Sequence, residues 1–293
     1  MKFEGIMPAL VTPLNTDETV NVPVLKQLLE YQLNQGADGF YVGGATGEGI
    51  CLSREAREIL AEEAINFTRG KKPCIMHIAS VNFNEAIELA KHAEKCGAAG
   101  ISAIPPLFFR YDEDDIFNYY KKLADAVSIP LMVYYNPAAG FAITADFAAR
   151  LFEVDNITAI KWTNPDYYNM IRLKDITNGE MNIINGPDEM LLMGLNAGAD
   201  GGIGTTYNIQ LPTIKAIYDS FKKGDIKKAQ QAQTQADRVI MEIIKGGKTI
   251  PATKAILTEM GFDVGNAVYP MTRFTKEQKE DLINRVRNAG LDI

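Results

Sequence analysis

The sequence predicts an α/β fold, a (β/α)8 TIM barrel carrying three additional C-terminal helices. Three observations lead there. A weak internal repeat, QGADGFYVGG (35–44), CGAAGISAIPP (96–106) and AGADGGIGTTY (197–207), sets a small Gly-rich turn before an apolar run each time. Short apolar runs of this kind alternate with amphipathic segments at a spacing of about 25–30 residues, as a barrel of roughly 250 residues requires. No GxGxxG follows the first run, which removes the main sign of an open, doubly wound sheet.

Taken in order, the strands are expected near Gly5–Leu10, Gly39–Val42, Cys74–Ile78, Gly100–Ala103, Pro130–Tyr135, Thr158–Lys161, Asn182–Ile184 and Gly201–Ile203. Each is short, apolar and bounded by turn residues, the pattern of a parallel strand buried on both faces. Between them, Val22–Asn34, Ser53–Thr68, Asn84–Lys95 and Glu113–Ala126 repeat apolar residues at intervals of three and four and read as helices. Ser53 and Thr144 stand where a hydroxyl caps a helix start. Glycine before a strand supplies the left-handed residue that ends the preceding helix. Beyond residue 222, an amphipathic stretch (Ile226–Lys245), a segment opening at Pro251 and a charged helix (Lys276–Asn288) follow with no Ser- or Gly-rich linker. The chain 1–293 is therefore expected to be one unit: residues 1–222 the barrel, residues 223–293 a helical extension packed on it.

Composition narrows the function. With 46% apolar and 23% charged residues the chain is ordinary globular protein. A net charge of −7, and no basic cluster longer than Lys71-Lys72 or Lys222-Lys223, argue against nucleic acid and favour a small-molecule partner. No run approaches the roughly 18 apolar residues of a membrane span, so a cytoplasmic protein without a membrane partner is expected. Cys51, Cys74 and Cys96 are too scattered for a disulfide framework or CxxC site and are expected to be reduced and buried. Two histidines, His77 and His92, with no HxxxH or HxxE arrangement, argue against a histidine-ligated metal site and point to chemistry without a metal.

In a parallel barrel, chemistry sits where the strands end. Those positions are Thr12, the GGATGE turn (43–48), His77 to Ser80, Pro105-Pro106, Tyr134 to Asn136, Lys161 with Thr163, Gly186 to Glu189 and Gly204 to Tyr207. Lys161 closes the apolar run ITAIKW. Either it snorkels or pairs with Asp188 or Glu189, or it is a desolvated amine able to attack a ketone. Tyr134, one strand earlier, is either core or a proton shuttle. The GGATGEG turn is either a plain turn or a cradle of backbone N–H groups and the Thr46 hydroxyl for a carboxylate. Glu48 reads as a structural ion-pair partner, and His77 as a satisfied polar residue near the pocket floor. Asp188 and Glu189 either cap a helix or, with Thr205, bind a phosphate or a hydroxylated carbon chain.

GGATGEG, YYNP, AIKWT and NGPDEMLLMGLNAGADGGIGTTYN together resemble the N-acetylneuraminate lyase and dihydrodipicolinate synthase superfamily, from about residue 3 to the C-terminus. The resemblance implies a (β/α)8 barrel with three C-terminal helices and a homotetramer. It implies a Schiff-base nucleophile at Lys161, a tyrosine proton shuttle at Tyr134 and a carboxylate-binding turn at Ala45 and Thr46. Gly186, Asp188, Glu189 and Thr205 match the lyases' sugar-contacting positions, with Thr163 beside the substrate. The synthases hold a second carboxylate with an arginine after the YN-x-P turn, and YYNPAAGF offers only Ala138 and Ala139 there. The chain also departs from the family: Ala45 and Phe108 stand where relay hydroxyls are usual, and the turn after Tyr134 is one residue short. The expected activity is a class I, pyruvate-forming aldolase acting on N-acetylneuraminate, with no cofactor beyond the lysine imine and a 2-keto acid and a sugar as ligands. Another 2-keto acid aldolase, a dihydrodipicolinate synthase-like enzyme and a non-catalytic sugar-acid sensor are the alternatives.

Overall fold

The structure, a computed structural model, describes residues 2–293. Eight strands alternate with helices: β1 (Gly5–Pro8), α1 (Val22–Asn34), β2 (Phe40–Val42), α2 (Arg54–Thr68), β3 (Cys74–His77), α3 (Phe83–Cys96), β4 (Gly100–Ala103) and α4 (Glu113–Ala124) come first. Then follow β5 (Leu131–Tyr135), α5 (Ala145–Phe152), β6 (Ile157–Trp162), α6 (Tyr167–Ile176), β7 (Asn182–Asn185), α7 (Leu191–Asn196), β8 (Gly201–Gly204) and α8 (Tyr207–Lys222). The chain continues into α9 (Ile226–Ile244), α10 (Thr249–Glu259) and α11 (Lys276–Asn288). This is the expected TIM barrel with added C-terminal helices. Ser53 and Thr144 cap α2 and α5, each accepting from a backbone N–H at 3.2 Å.

Every neighbouring pair in the sheet is parallel, in the order β1-β8-β7-β6-β5-β4-β3-β2. The ring closes where the apolar run that began in β1 changes partner. Ala9 N–H still donates to Gly204 on β8, and Leu10 N–H donates to the Tyr41 carbonyl on β2, both at 2.9 Å. A single parallel bridge, Ala9 to Tyr41, makes this seam. That explains why the run extends to Leu10 although β1 stops at Pro8.

Side-chain alternation divides the strands into two buried layers. Met7, Tyr41, Ile75, Met132, Tyr134, Ala159, Ile184 and Ile203 fill the barrel interior. Val133, Tyr135, Ile160 and Trp162 face the helices instead. The C-terminal helices brace the catalytic end: Gln233 on α9 donates to the Asp188 carbonyl at 3.2 Å and accepts from Leu192 N–H at 3.0 Å. Arg285 on α11 donates to the Glu242 carbonyl on α9 at 2.7 Å. Among the described residues no helix is long and apolar enough to cross a membrane. The cysteines correct one expectation: only Cys74 is buried, Cys96 is half-buried and Cys51 is exposed, because the latter two lie at helix ends on the outer surface.

Candidate active site

β5 and β6 run side by side in a register that sets Tyr134 directly opposite Lys161. Adjacent in-register residues of a parallel pair share a face, so both side chains enter the barrel. Lys161 is 5% exposed, and its Nζ lies 4.1 Å from the centre of the Tyr134 ring and 4.8 Å from that of Tyr41. Among the described residues no carboxylate approaches it within 4.0 Å. The amine is thus walled by aromatic faces rather than tied into an ion pair with Asp188 or Glu189. Asn136 Nδ2 reaches the Tyr134 hydroxyl at 3.4 Å.

The GGATGE turn is anchored at both ends. Thr12 donates to the Gly47 carbonyl at 2.6 Å, and a Cβ at Gly49 would come within 1.8 Å of the Gly43 carbonyl oxygen, so only glycine permits the fold-back. Thr46 is buried, and its hydroxyl lies 2.6 Å from that of Thr205 at the end of β8. Ala45 is exposed on the rim. Glu48 is fully buried and ion-paired to Lys254 of α10 at 2.6 Å, while also accepting from Val268 N–H. Lys254 donates in addition to the Asn266 carbonyl at 2.9 Å, and burial pulls its pKa below the ordinary lysine value against the opposing pull of Glu48. Glu48 is therefore structural, as expected, and joins the turn to the C-terminal helices.

Gly186 receives the ladder from β6 through its N–H to the Trp162 carbonyl at 2.9 Å. It presses against Thr163 so closely that a Cβ there would sit 2.0 Å from Thr163 Oγ1. The two residues form one wall. Asp188 does not cap its own helix. Its Oδ2 accepts from the Thr206 N–H and hydroxyl, both at 2.7 Å, so the β7 and β8 loops are tied together through it. Burial raises the Asp188 pKa to about 6, against the lowering effect of those hydrogen bonds. Glu189 is exposed, and its charge acts on Asp188 and Tyr167 beside it.

One inward residue, Tyr41, is not marked by the sequence. Tyr41 and Tyr134 meet edge to face at 6.0 Å, and the His77 ring packs 6.1 Å from Tyr134 and 6.2 Å from Tyr41. The Tyr41 hydroxyl donates to Ser102 at 3.0 Å. His77 departs from expectation: it is 4% exposed, and neither ring nitrogen has a hydrogen-bond partner among the described residues. It is not a satisfied core histidine. Its pKa is lowered to about 3, first by burial, then by the nearby charges of Arg57 and Lys161, so it is neutral. Arg57, itself buried, donates to the carbonyls of His77 and Ala79 at 3.0 and 2.9 Å and fixes the end of β3.

A profile of the Dihydrodipicolinate synthetase family matches residues 2–289. The chain belongs to this family. Its relatives include an N-acetylneuraminate lyase of Rhizobium meliloti (strain 1021), 35% identical over 282 residues that cover 96% of this chain and 93% of that one. Another, from Citrobacter koseri, is 36% identical over 247 residues, covering 84% and 83%. Among solved structures, Proteus mirabilis N-acetylneuraminate lyase superposes with a TM-score of 0.94 at 29% identity over the whole of both chains. Clostridium difficile CdNal, in complex with mannosamine, gives 0.94 at 30% identity over 99% of this chain and 100% of that one. The synthetase-family membership makes the chain an enzyme of the carbon–carbon lyase class, as the sequence led us to expect.

Proposed function

We propose that the chain is a class I aldolase that cleaves N-acetylneuraminate to pyruvate and N-acetylmannosamine. The observation that carries this reading is the Tyr134–Lys161 pair, an amine laid over a phenol ring at the C-terminal end of adjoining barrel strands. Lys161 Nζ attacks the 2-keto carbon, and loss of water gives a protonated imine. The substrate carboxylate rests on the Ala45–Thr46 turn, beside Thr205. Tyr134 takes the proton from the hydroxyl on carbon 4 as the bond between carbons 3 and 4 breaks. The bonding pair passes into the imine to form an enamine, and N-acetylmannosamine leaves. Protonation at carbon 3 and hydrolysis then return Lys161 and release pyruvate. The imine is the electron sink, so no metal or organic cofactor enters a step.

The lyase names of the relatives and the mannosamine bound to the Clostridium difficile protein support a sugar as the second ligand. In this reading Thr163, Gly186, Asp188 and Glu189 line its path. A cytoplasmic homotetramer completes the proposal; Phe108 and Phe109, 89% and 69% exposed, are apolar surface that assembly would cover.

Borohydride reduction in the presence of pyruvate is the direct test. A mass adduct on Lys161 is expected, and a protein that releases pyruvate without such an adduct would overturn the mechanism. Profiling sialic acids against 2-keto-3-deoxy sugar acids then separates the lyase from another 2-keto acid aldolase.

Asp188 gives the reading a pH signature. Its raised pKa means that the folded protein binds this proton as pH falls through about 6, well above the unfolded carboxylate range. Above that pH it is ionised and only accepts hydrogen bonds; below it, one oxygen becomes an O–H donor and the carboxyl accepts fewer. KM for the sugar substrate is expected to rise as pH falls from about 7 to 5, and Asp188→Asn is expected to flatten that rise. A pH-independent KM in the unaltered enzyme contradicts the assignment.

A further inference from the structure

Away from the barrel mouth, three side chains with metal-binding donors converge on the outer wall. His92 and Cys96 lie one turn apart on α3, and Glu62 faces them from α2. Residues four apart on a helix share a face, so the imidazole and the thiol come together without backbone strain. His92 Nε2 lies 3.0 Å from Glu62 Oε1, and Cys96 Sγ lies 3.8 Å from Nε2 and 3.9 Å from Nδ1. All three donor atoms lie within 4.8 Å of one another. Zinc binds nitrogen at about 2.0–2.1 Å, oxygen at about 2.0–2.2 Å and thiolate at about 2.3 Å, which sets neighbouring tetrahedral donors roughly 3.3–3.6 Å apart. The two separations from Nε2, 3.0 and 3.8 Å, fall on either side of that range. The surroundings hold the frame: Arg69 donates to the Cys96 carbonyl at 2.7 Å, and Gly97 ends α3 in the left-handed conformation.

We propose that Glu62, His92 and Cys96 form a Zn²⁺ site with one open coordination position. A mixed imidazole, thiolate and carboxylate set suits this borderline-soft ion better than calcium or magnesium, which take oxygen ligands. Cys96 ends α3 just before β4 begins, so the site lies at the end of the barrel opposite Lys161. The metal therefore takes no part in cleavage. It clips α2 to α3, stabilising the folded chain by binding it and not the unfolded one.

The test uses full-length protein stripped with chelator and titrated with Zn²⁺ by calorimetry. One ion per chain is expected, with affinity reduced at least about tenfold in Cys96→Ser and in His92→Asn, and unchanged in Cys51→Ser. Co²⁺ should give a thiolate charge-transfer band in the unaltered protein that Cys96→Ser abolishes. Zn²⁺ should raise the melting midpoint of the unaltered protein but not of the two ligand variants. Far-UV circular dichroism of the variants shows whether they are folded. Absence of saturable Zn²⁺ binding, or binding that Cys96→Ser and His92→Asn leave intact, overturns the proposal.

Discussion

Lys161→Ala is expected to lower kcat for substrate cleavage by on the order of 10³-fold or more, because the covalent route is lost entirely. The protein should remain folded, since alanine leaves the two aromatic walls, Tyr41 and Tyr134, able to pack on each other at 6.0 Å. Tyr134→Phe separates the roles. Without the phenol, imine formation continues and borohydride still traps pyruvate on Lys161, but turnover falls by roughly 10²–10⁴-fold, the usual worth of a positioned proton carrier. Single-turnover cleavage and mass analysis on both variants distinguish the two. A Lys161→Ala enzyme that still cleaves its substrate would remove the Schiff base from the reaction.

Glu48→Gln should destabilise the fold by about 3–5 kcal/mol, because it leaves the Lys254 ammonium buried without its counter-charge. In the structure that pair is sealed from water, with side-chain exposure of 0% for Glu48 and 2% for Lys254. Lys254→Met strands the carboxylate in the same way. The double variant, Glu48→Gln with Lys254→Met, should cost much less than the sum, since replacing both charges removes the desolvation penalty along with the attraction. Urea unfolding of the two single variants and the double gives the coupling energy. Additive losses would show that the two charges are not a pair.

These two sites also mark what could be read from the sequence. The positions of Lys161 and Tyr134 were legible because each stands near the end of an apolar run, where a parallel barrel puts chemistry, while the roles proposed for them come from the resemblance of AIKWT and YYNP to the family. The eight strands were legible because buried parallel strands are unbroken apolar runs between turn residues. That same continuity hid the inner ring of the site. FYV is apolar or aromatic on both faces, so no alternation says that Tyr41 turns toward Lys161; His77 was placed near the pocket floor, but nothing in CIMH says that its ring nitrogens go without partners. Lys254 was hidden for another reason: its partner turn lies in a different element of the chain, and the related contact from Val268 to Glu48 spans 220 residues. His92 and Cys96 have an HxxxC spacing that a search for paired histidines passes over, and Glu62 reaches them from a separate helix.

The seam between Ala9 and Tyr41 joins the first-made strands of the barrel to the last. Tyr41 contributes its carbonyl to barrel closure and its ring to the wall around the amine. On its other side the closing segment leans on β8, the last strand to leave the ribosome. Lys161, encoded two strands earlier, is thus synthesised before its enclosure can be complete. A nascent or half-assembled chain carries Lys161 as a solvated lysine, and the aromatic wall that the proposed mechanism places around it is complete only when the circle shuts.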